Sequence, residues 1–181
     1  QPQTQIIHAP PPRSSNSHNV SPQHKRPAQR TQGIDAGKKI VGRKRTIIVD
    51  TLGLLLTVLV TSADTSDGRA GLRPLTTLAA AHPRIRKVWA DSAYRSAVIE
   101  HGARLGIDIE TVRRDPTTKG FIPLSHRWIV ERTFGWLMSY RRLARDYEAH
   151  PTRSEAMIHL AMIDLLARRA TGESTPTWRG T

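Results

Sequence analysis

The sequence contains no cysteine, which excludes disulfide bonds and zinc sites built from cysteine ligands. It also lacks a long apolar run, because the longest one, residues 52–60, is interrupted by Gly53 and Thr57. A helix that crosses a bilayer needs about 20 apolar residues, so this run is too short. The amino terminus has no apolar segment typical of a signal peptide. We therefore expect a cytoplasmic protein without a membrane partner.

Acidic residues are scarce. The chain has 15 acids against 28 lysines and arginines, which gives a net charge of +13. Such an excess favours a polyanionic partner, most often a nucleic acid, although a ribosome-like or simply soluble basic protein has a similar composition. Residues 1–34 contain no acid, and Ile6, Ile7 and Val20 are the only large aliphatic residues of 1–33. We predict that 1–33 is disordered or aberrant, and that 173–181 is a polar tail.

Residues 34–172 show strands alternating with helices. "RTIIVD" (45–50) and "LLLTVLVT" (54–61) indicate a β-hairpin. A helix with Pro74 in its first turn follows, then a strand at 85–91, a helix at 95–106 that Gly106 ends, and a strand at 107–112. A long helix carries Glu131, and a last helix begins at the capping-box pattern "TRSE" (152–155). The order β-β-α-β-α-β-α-α predicts an α/β layered fold with at least one parallel strand pair.

The last two helices have apolar stripes at helical spacing. The first stripe consists of Val130, Phe134, Leu137 and Met138, and the second of Ile158, Ala161, Met162 and Leu165. These stripes are expected to face the core. Trp128 and Trp136 are also interpreted as packing residues rather than as platforms for stacking bases.

Two acids are candidates for metal chemistry. Asp91 ends a predicted strand in "VWADSAY", where ligands of open α/β sheets gather, although a helix N-cap or a turn aspartate is the commoner use. Glu131 is the only acid between residues 116 and 145, where six lysines and arginines surround it. The alternative to a role in metal binding is that Glu131 forms an ion pair with Arg127 or with other neighbours. A pair of carboxylates in a basic region suits Mg²⁺-dependent chemistry on nucleic acid.

Three stretches resemble a known family: "GIDAGKKIVGRKRTIIVDTLGLLLTVLVTSAD", "VWADSAYRS" and "HRWIVERTFGWLMSYRRLARDYE". They are similar to the catalytic domain of DDE-type transposases of bacterial insertion sequences, in the group related to the families numbered four and five. The resemblance covers residues 33 to about 170. It implies an RNase-H-like mixed sheet flanked by helices, and cleavage and joining of DNA at insertion-sequence ends with Mg²⁺ or Mn²⁺.

The resemblance also assigns residues. It implies that Asp91 and Glu131 are catalytic metal ligands, and that a set of basic residues contacts DNA phosphates: Lys38, Lys39, Arg43, Lys44, Arg45, Arg127, Arg132, Arg141 and Arg142. For "GRKR" a solvated loop is the alternative. Related families place Tyr, Arg, Glu and Lys around the catalytic helix, and here Leu124 and Met138 replace the tyrosine and the lysine.

The family's first catalytic aspartate belongs to the first strand of the sheet, and residues 1–34 contain no acid. We therefore expect an incomplete catalytic domain that lacks its first strand, as in a truncated gene copy, with weak metal binding. Asp35 and Asp50 are the nearest acids that could substitute. Two hypotheses remain: a transposase domain that acts on DNA, or an inactive basic module that docks DNA or an intact transposase protomer.

Overall fold

The structure is a computed structural model that describes residues 3–9, 32–35, 40–94, 96–112 and 127–173. At 3–9, at Ile40 and at Arg127 it describes the backbone alone. The chain forms, in order, β1 (Gln3–Ala9), β2 (Gly33–Asp35), β3 (Ile40–Asp50), β4 (Leu55–Ser62), α1 (Asp67–Ala81), β5 (Lys87–Asp91), α2 (Ser96–Arg104), β6 (Asp108–Val112), α3 (Arg127–Met138), α4 (Arg141–Ala144) and α5 (Pro151–Thr171). The predicted order of elements is confirmed, with β1, β2 and α4 added.

The six strands form one mixed sheet in the order β2-β3-β1-β5-β6, with β4 also paired to β3. The β1–β5 and β5–β6 pairs are parallel, and β2 runs antiparallel to β3. At the predicted hairpin, the Asp50 N–H donates to the Leu54 carbonyl over 2.9 Å, and Gly53 takes a φ of 80° that suits glycine. The α/β class with a parallel pair is therefore confirmed.

The expectation that the sheet lacks its first strand is wrong. Gln3–Ala9 lies between β3 and β5, and Ile6 pairs with Ala90 in the parallel register. Pairing stabilises a strand at this position, because the two neighbouring strands each present a row of backbone hydrogen-bond donors and acceptors to it. The prediction of disorder averaged composition over 33 residues and so hid the short β-compatible stretch "QTQIIHA". The prediction for the rest of 1–31 lies outside the described residues.

Three expectations about helices also need correction. The predicted long helix is broken, because α3 ends at Met138 and Tyr140 has extended dihedrals before α4. The Tyr140 hydroxyl donates to Asp164 Oδ2 of α5 over 2.7 Å, which holds the break in place. Pro74 lies in the interior of α1, not in its first turn. The expected capping box is absent, since α5 begins at Pro151 after His150 and no side chain caps it.

The chain divides into two compact units. The first unit comprises Gln1–His8, Thr46–Leu59 and Ser66–Gly135, and the second comprises Ala9–Arg45, Val60–Thr65 and Trp136–Thr181. In the first unit, one apolar cluster joins Ile48 and β5 to α1 and α2, and another packs α3 on β3 and β4. In the second unit, the predicted stripe of α5 is buried as expected. None of the helices that the structure describes has the length and apolar character needed to span a membrane.

The place of β1 inside the sheet can be tested with Ile6→Pro. Every backbone N–H of a strand paired on both edges belongs to a ladder, and proline has none. Orphaning the partner carbonyl should lower the free energy of unfolding by about 2 kcal/mol. Urea denaturation measures this loss, and Ile6→Val, which keeps the N–H, is the control. If Ile6→Pro matched wild type, residues 3–9 would not belong to the sheet.

Candidate active site

Asp91 lies at the carboxyl end of β5, as predicted. Ser92 Oγ donates to Asp91 Oδ1 over 3.1 Å, and the Tyr94 N–H donates to the Asp91 carbonyl over 2.9 Å. A tight turn therefore follows the strand, and α2 begins only at Ser96, so Asp91 is a turn residue rather than an N-cap. Among the residues whose side chains the structure describes, no lysine or arginine forms an ion pair with Asp91.

A buried tyrosine lies near this turn. Tyr94 is fully buried, and Gly71 makes room for it, because a Cβ at Gly71 would come within 2.8 Å of the ring. Burial raises the pKa of Tyr94 far above its usual value; a hydrogen bond with Thr46 opposes this, and the charges of Asp67 and Asp91 add to it. The Tyr94 hydroxyl therefore stays protonated and lies within electrostatic reach of two carboxylates.

Asp67 is the acid near this site that the sequence reasoning missed. It is the first residue of α1, where the helix dipole favours an acid whether or not the acid has another role. The sequence did offer a signal for this acid. Helix α1, which Asp67 begins, follows strand β4 and leads to strand β5, which Asp91 ends, so both acids lie at strand–helix junctions of one sheet. The sequence did not show that both acids act on Tyr94.

Glu131 is exposed on α3. Three apolar residues of α3, Ile129, Val130 and Phe134, pack against the strands β3 and β4. Two side chains next to Glu131 fix the helix to the hairpin turn: Arg132 Nη2 donates to the Leu52 carbonyl over 2.9 Å, and Thr133 Oγ1 donates to the Gly53 carbonyl over 2.8 Å.

Gly135, one turn after Glu131, has open space beside it. Apart from the helix's own backbone, a Cβ built there would meet no heavy atom within 4 Å. This glycine is therefore not required for close packing against another element.

Asp91 and Glu131 both belong to the first unit. Across the described residues, no three histidine, aspartate or glutamate side chains form a group that could hold a metal ion. The two possible substitutes have other partners. Asp50 Oδ1 accepts the Leu52 N–H over 2.9 Å and the Leu54 N–H over 2.8 Å, while Asp35 pairs with Lys44 at 3.8 Å in the second unit.

Arg43 is not available to DNA, which corrects the prediction for this residue. Its side chain is 2% exposed and forms an ion pair of 3.1 Å with Asp146 Oδ2. Its Nη2 donates to the carbonyls of Glu148 and Ala149 over 2.8 and 3.1 Å. A guanidinium with these partners is part of the interior and cannot reach a phosphate.

Arg45 is corrected for the same reason. It is 2% exposed, and Nη1 donates to the Leu143 carbonyl over 2.8 Å. Burial lowers the pKa of Arg45, with Asp146 opposing this effect and Arg43 adding to it. Between the two arginines, Lys44 donates to the Thr65 carbonyl over 3.0 Å. The "GRKR" stretch is therefore neither a phosphate-binding loop nor a solvated one.

The other predicted DNA contacts fall into three groups. Arg141 and Arg142 lie at the surface on α4, and Arg142 pairs with Glu148 at 2.6 Å. Arg132 stacks on Trp128, with its Cζ 4.4 Å from the ring centroid, while Trp128 is 49% exposed. Lys38 and Lys39 lie outside the described residues, as does the side chain of Arg127.

Comparison with known proteins agrees with this arrangement. The family described as "Transposase DDE domain" matches residues 6–166, a region that begins within β1. A Burkholderia cepacia protein named "Putative transposase for insertion sequence element IS402" is 31% identical, over 68% of this chain and 60% of the relative. The matched region thus spans about 60% of that relative's length. The fold and these matches define a transposase domain, and the chain belongs to the DDE family of insertion-sequence transposases.

The buried arginines give a stability prediction. Arg43→Ala should lower the free energy of unfolding by about 3–5 kcal/mol, because it leaves Asp146, itself 13% exposed, without its cation. Arg141→Ala, which removes an exposed arginine of the same region, should cost less than about 0.5 kcal/mol. Chemical denaturation compares the two variants. Equal stabilities would contradict the structural role of Arg43.

Proposed function

We propose that this chain is a transposase catalytic domain of the class that cleaves and joins DNA at insertion-sequence ends, with Asp91 and Glu131 as its metal-binding carboxylates. The observation that carries the proposal is the position of Asp91 at the carboxyl end of β5, next to the central strand β1, within the region that the family matches. In open α/β sheets this is where functional side chains gather.

The strand order supports an RNase-H-like fold. A hairpin, β3 and β4, lies on one side of β1, and the parallel strands β5 and β6 lie on the other. Helices α1 and α2 supply the connections that lead to β5 and β6. The resemblance implies this arrangement and places its first carboxylate on the strand that corresponds to β1.

The two carboxylates are suitable ligands for Mg²⁺ or Mn²⁺, but two are few for tight binding. Asp91 and Glu131 offer the hard oxygen ligands that Mg²⁺ prefers, and Asp91 has no ion-pair partner among the side chains that the structure describes. A bound divalent ion supplies a water of lowered pKa and neutralises charge on phosphate oxygens. Two carboxylates hold such an ion weakly, so we expect weak binding by this chain.

The register of β1 on β5 suggests a position for the missing carboxylate. Ile6 pairs with Ala90, and one step further along the two strands come Ile7 and Asp91. Ile7 is therefore the residue of β1 next to Asp91, and the resemblance implies an acid on this first strand. An isoleucine cannot bind a metal ion, and this supports the second candidate function, a catalytically inactive module that binds DNA or an intact transposase protomer.

Restoring an acid at this position tests catalysis. Ile7→Asp should give Mg²⁺- or Mn²⁺-dependent nicking of a supercoiled plasmid at least tenfold above wild type, and should tighten Mn²⁺ binding measured by electron paramagnetic resonance. Ile7→Asn, of the same size without charge, should gain neither property. Adding Glu131→Gln to Ile7→Asp should remove the gained nicking.

Two results would contradict this view. Nicking by the wild-type chain that Glu131→Gln abolishes would show that the chain is competent without an acid at position 7. Unchanged Mn²⁺ binding by a folded Ile7→Asp variant would show that position 7 is not beside the metal ligands.

DNA binding should rest on phosphate contacts by exposed cations. Arg141→Ala should weaken binding to unrelated duplexes equally and lower the slope of log affinity against log salt by about 0.9, the counterions released per phosphate. Fluorescence anisotropy at several salt concentrations measures both effects. Arg104→Ala, an exposed arginine of α2 outside the proposed contacts, is the control and should leave the slope unchanged. An affinity indifferent to salt would contradict phosphate binding.

A further inference from the structure

One tyrosine lies exposed in the segment between α4 and α5. Tyr147 is 56% exposed, and its hydroxyl forms no hydrogen bond with any residue that the structure describes. A single exposed aromatic side chain is common at a protein surface and needs no explanation by itself. The backbone and the neighbours of Tyr147 therefore decide whether it has a role.

The backbone on both sides of Tyr147 is held by the buried Arg43. Before the tyrosine, Asp146 forms its ion pair of 3.1 Å with this arginine. After it, the carbonyls of Glu148 and Ala149 accept from Arg43 Nη2 over 2.8 and 3.1 Å. The segment is not helical, but these contacts fix its path, so the tyrosine ring extends from an anchored backbone.

Exposure alternates along this segment. Arg145 and Tyr147 are exposed, whereas Asp146 and Glu148 are partly buried. Arg145 also has extended dihedrals. Side chains of an extended chain alternate between two sides, and those on the same side are about 6.6 Å apart. Arg145 and Tyr147 therefore project to the same, outer side of the segment.

The surface around Tyr147 is positively charged. The acids of this segment are each paired with an arginine: Asp146 with Arg43 at 3.1 Å, and Glu148 with Arg142 at 2.6 Å. Arg141 and Arg145 are exposed, and neither forms an ion pair with a described residue. Because they stand four residues apart across α4, the two arginines are neighbours. Their charges are therefore available to a ligand beside the tyrosine ring.

An exposed aromatic ring beside two available arginines suits one class of ligand. Arginines bind phosphates, and a tyrosine ring stacks on the face of a nucleobase. Inside a duplex the faces of the bases are covered by the neighbouring base pairs, so the ring needs a base that is unpaired. An acidic peptide would pair with the arginines but would offer the ring no flat partner.

We propose that Arg141, Arg145 and Tyr147 form a binding surface for single-stranded nucleic acid, with phosphates on the arginines and one unpaired base stacked on the tyrosine. The three residues belong to the second unit, whereas Asp91 and Glu131 belong to the first. The surface needs neither carboxylate and no metal ion. Its anchored backbone favours binding, because a ring that is already held in position loses little conformational entropy.

Two single strands of equal length separate stacking from charge: an oligothymidylate of about 12 nucleotides, and the same backbone without bases. Fluorescence anisotropy of the full chain in EDTA measures both affinities, and because divalent ions are absent, the result does not depend on the proposed catalysis. The oligothymidylate should bind about tenfold more tightly than the abasic strand, a typical effect of one base–aromatic stack. Equal affinities would overturn the proposal, because they would mean that charge alone binds the strand.

Substitutions assign this preference to the tyrosine. Tyr147→Ala should bind the two strands alike, whereas Tyr147→Phe, which keeps the ring, should retain the preference. Trp128→Ala removes another exposed aromatic side chain, in the first unit, and is the matched control that should also retain it. A preference that survives in Tyr147→Ala, or that is lost in Trp128→Ala, would overturn the proposal.

Arg145→Ala tests the phosphate contact. It should weaken binding of both strands by the same factor and lower the slope of log affinity against log salt by about 0.7, the value per phosphate of a single strand. Thermal unfolding checks that the variants fold, and the midpoints should match the wild type because Arg145 and Tyr147 are exposed. An unchanged salt slope would overturn the phosphate contact. A Tyr147→Ala variant that unfolds would also overturn the proposal, because the ring would then pack within its own chain.

Discussion

Two arginines buried on one strand constrain much of the second unit. Taking a guanidinium out of water is costly unless its donors are satisfied, so the segment that follows α3 must bring acceptors to β3. It does so with the Leu143 carbonyl for Arg45, and with Asp146 and the Glu148 and Ala149 carbonyls for Arg43. Ser154 Oγ, at the start of α5, then donates to Asp146 Oδ1 over 2.6 Å. The acceptors of this network therefore lie in the segment between the end of α3 and the start of α5.

The sequence was a good guide wherever a local rule decided the structure. Gly53 and Gly106 have positive φ values at the turns where the sequence placed them. The apolar stripe of α5 and the strand that ends in Asp91 were also predicted, because periodicity and strand ends are local properties. These local patterns predicted an α/β fold, and the family resemblance added the assignment to the DDE transposases.

The sequence was a poor guide where distant partners decided the outcome. Arg43 and Arg45 looked like surface cations, although the strand that they begin is buried on both faces from Thr46 to Val49. Their partner Asp146 lies about a hundred residues away and cannot be assigned from the sequence. The effect of the Asp67 and Asp91 charges on the pKa of Tyr94 is likewise tertiary, and the pairing of β1 depends on neighbouring strands rather than on its own composition.

The hydrogen bond between Glu155 and Val60 has a consequence for solubility. Strand β4 pairs with β3 and, among the described strands, with no other, so none of the described strands covers its second edge. Such an edge is a template for intermolecular sheet growth. The carboxylate of Glu155, from α5, accepts the N–H of the buried Val60, so this donor is not available to a further strand. The acid that the sequence suggested as a helix cap instead fills a backbone donor of the sheet.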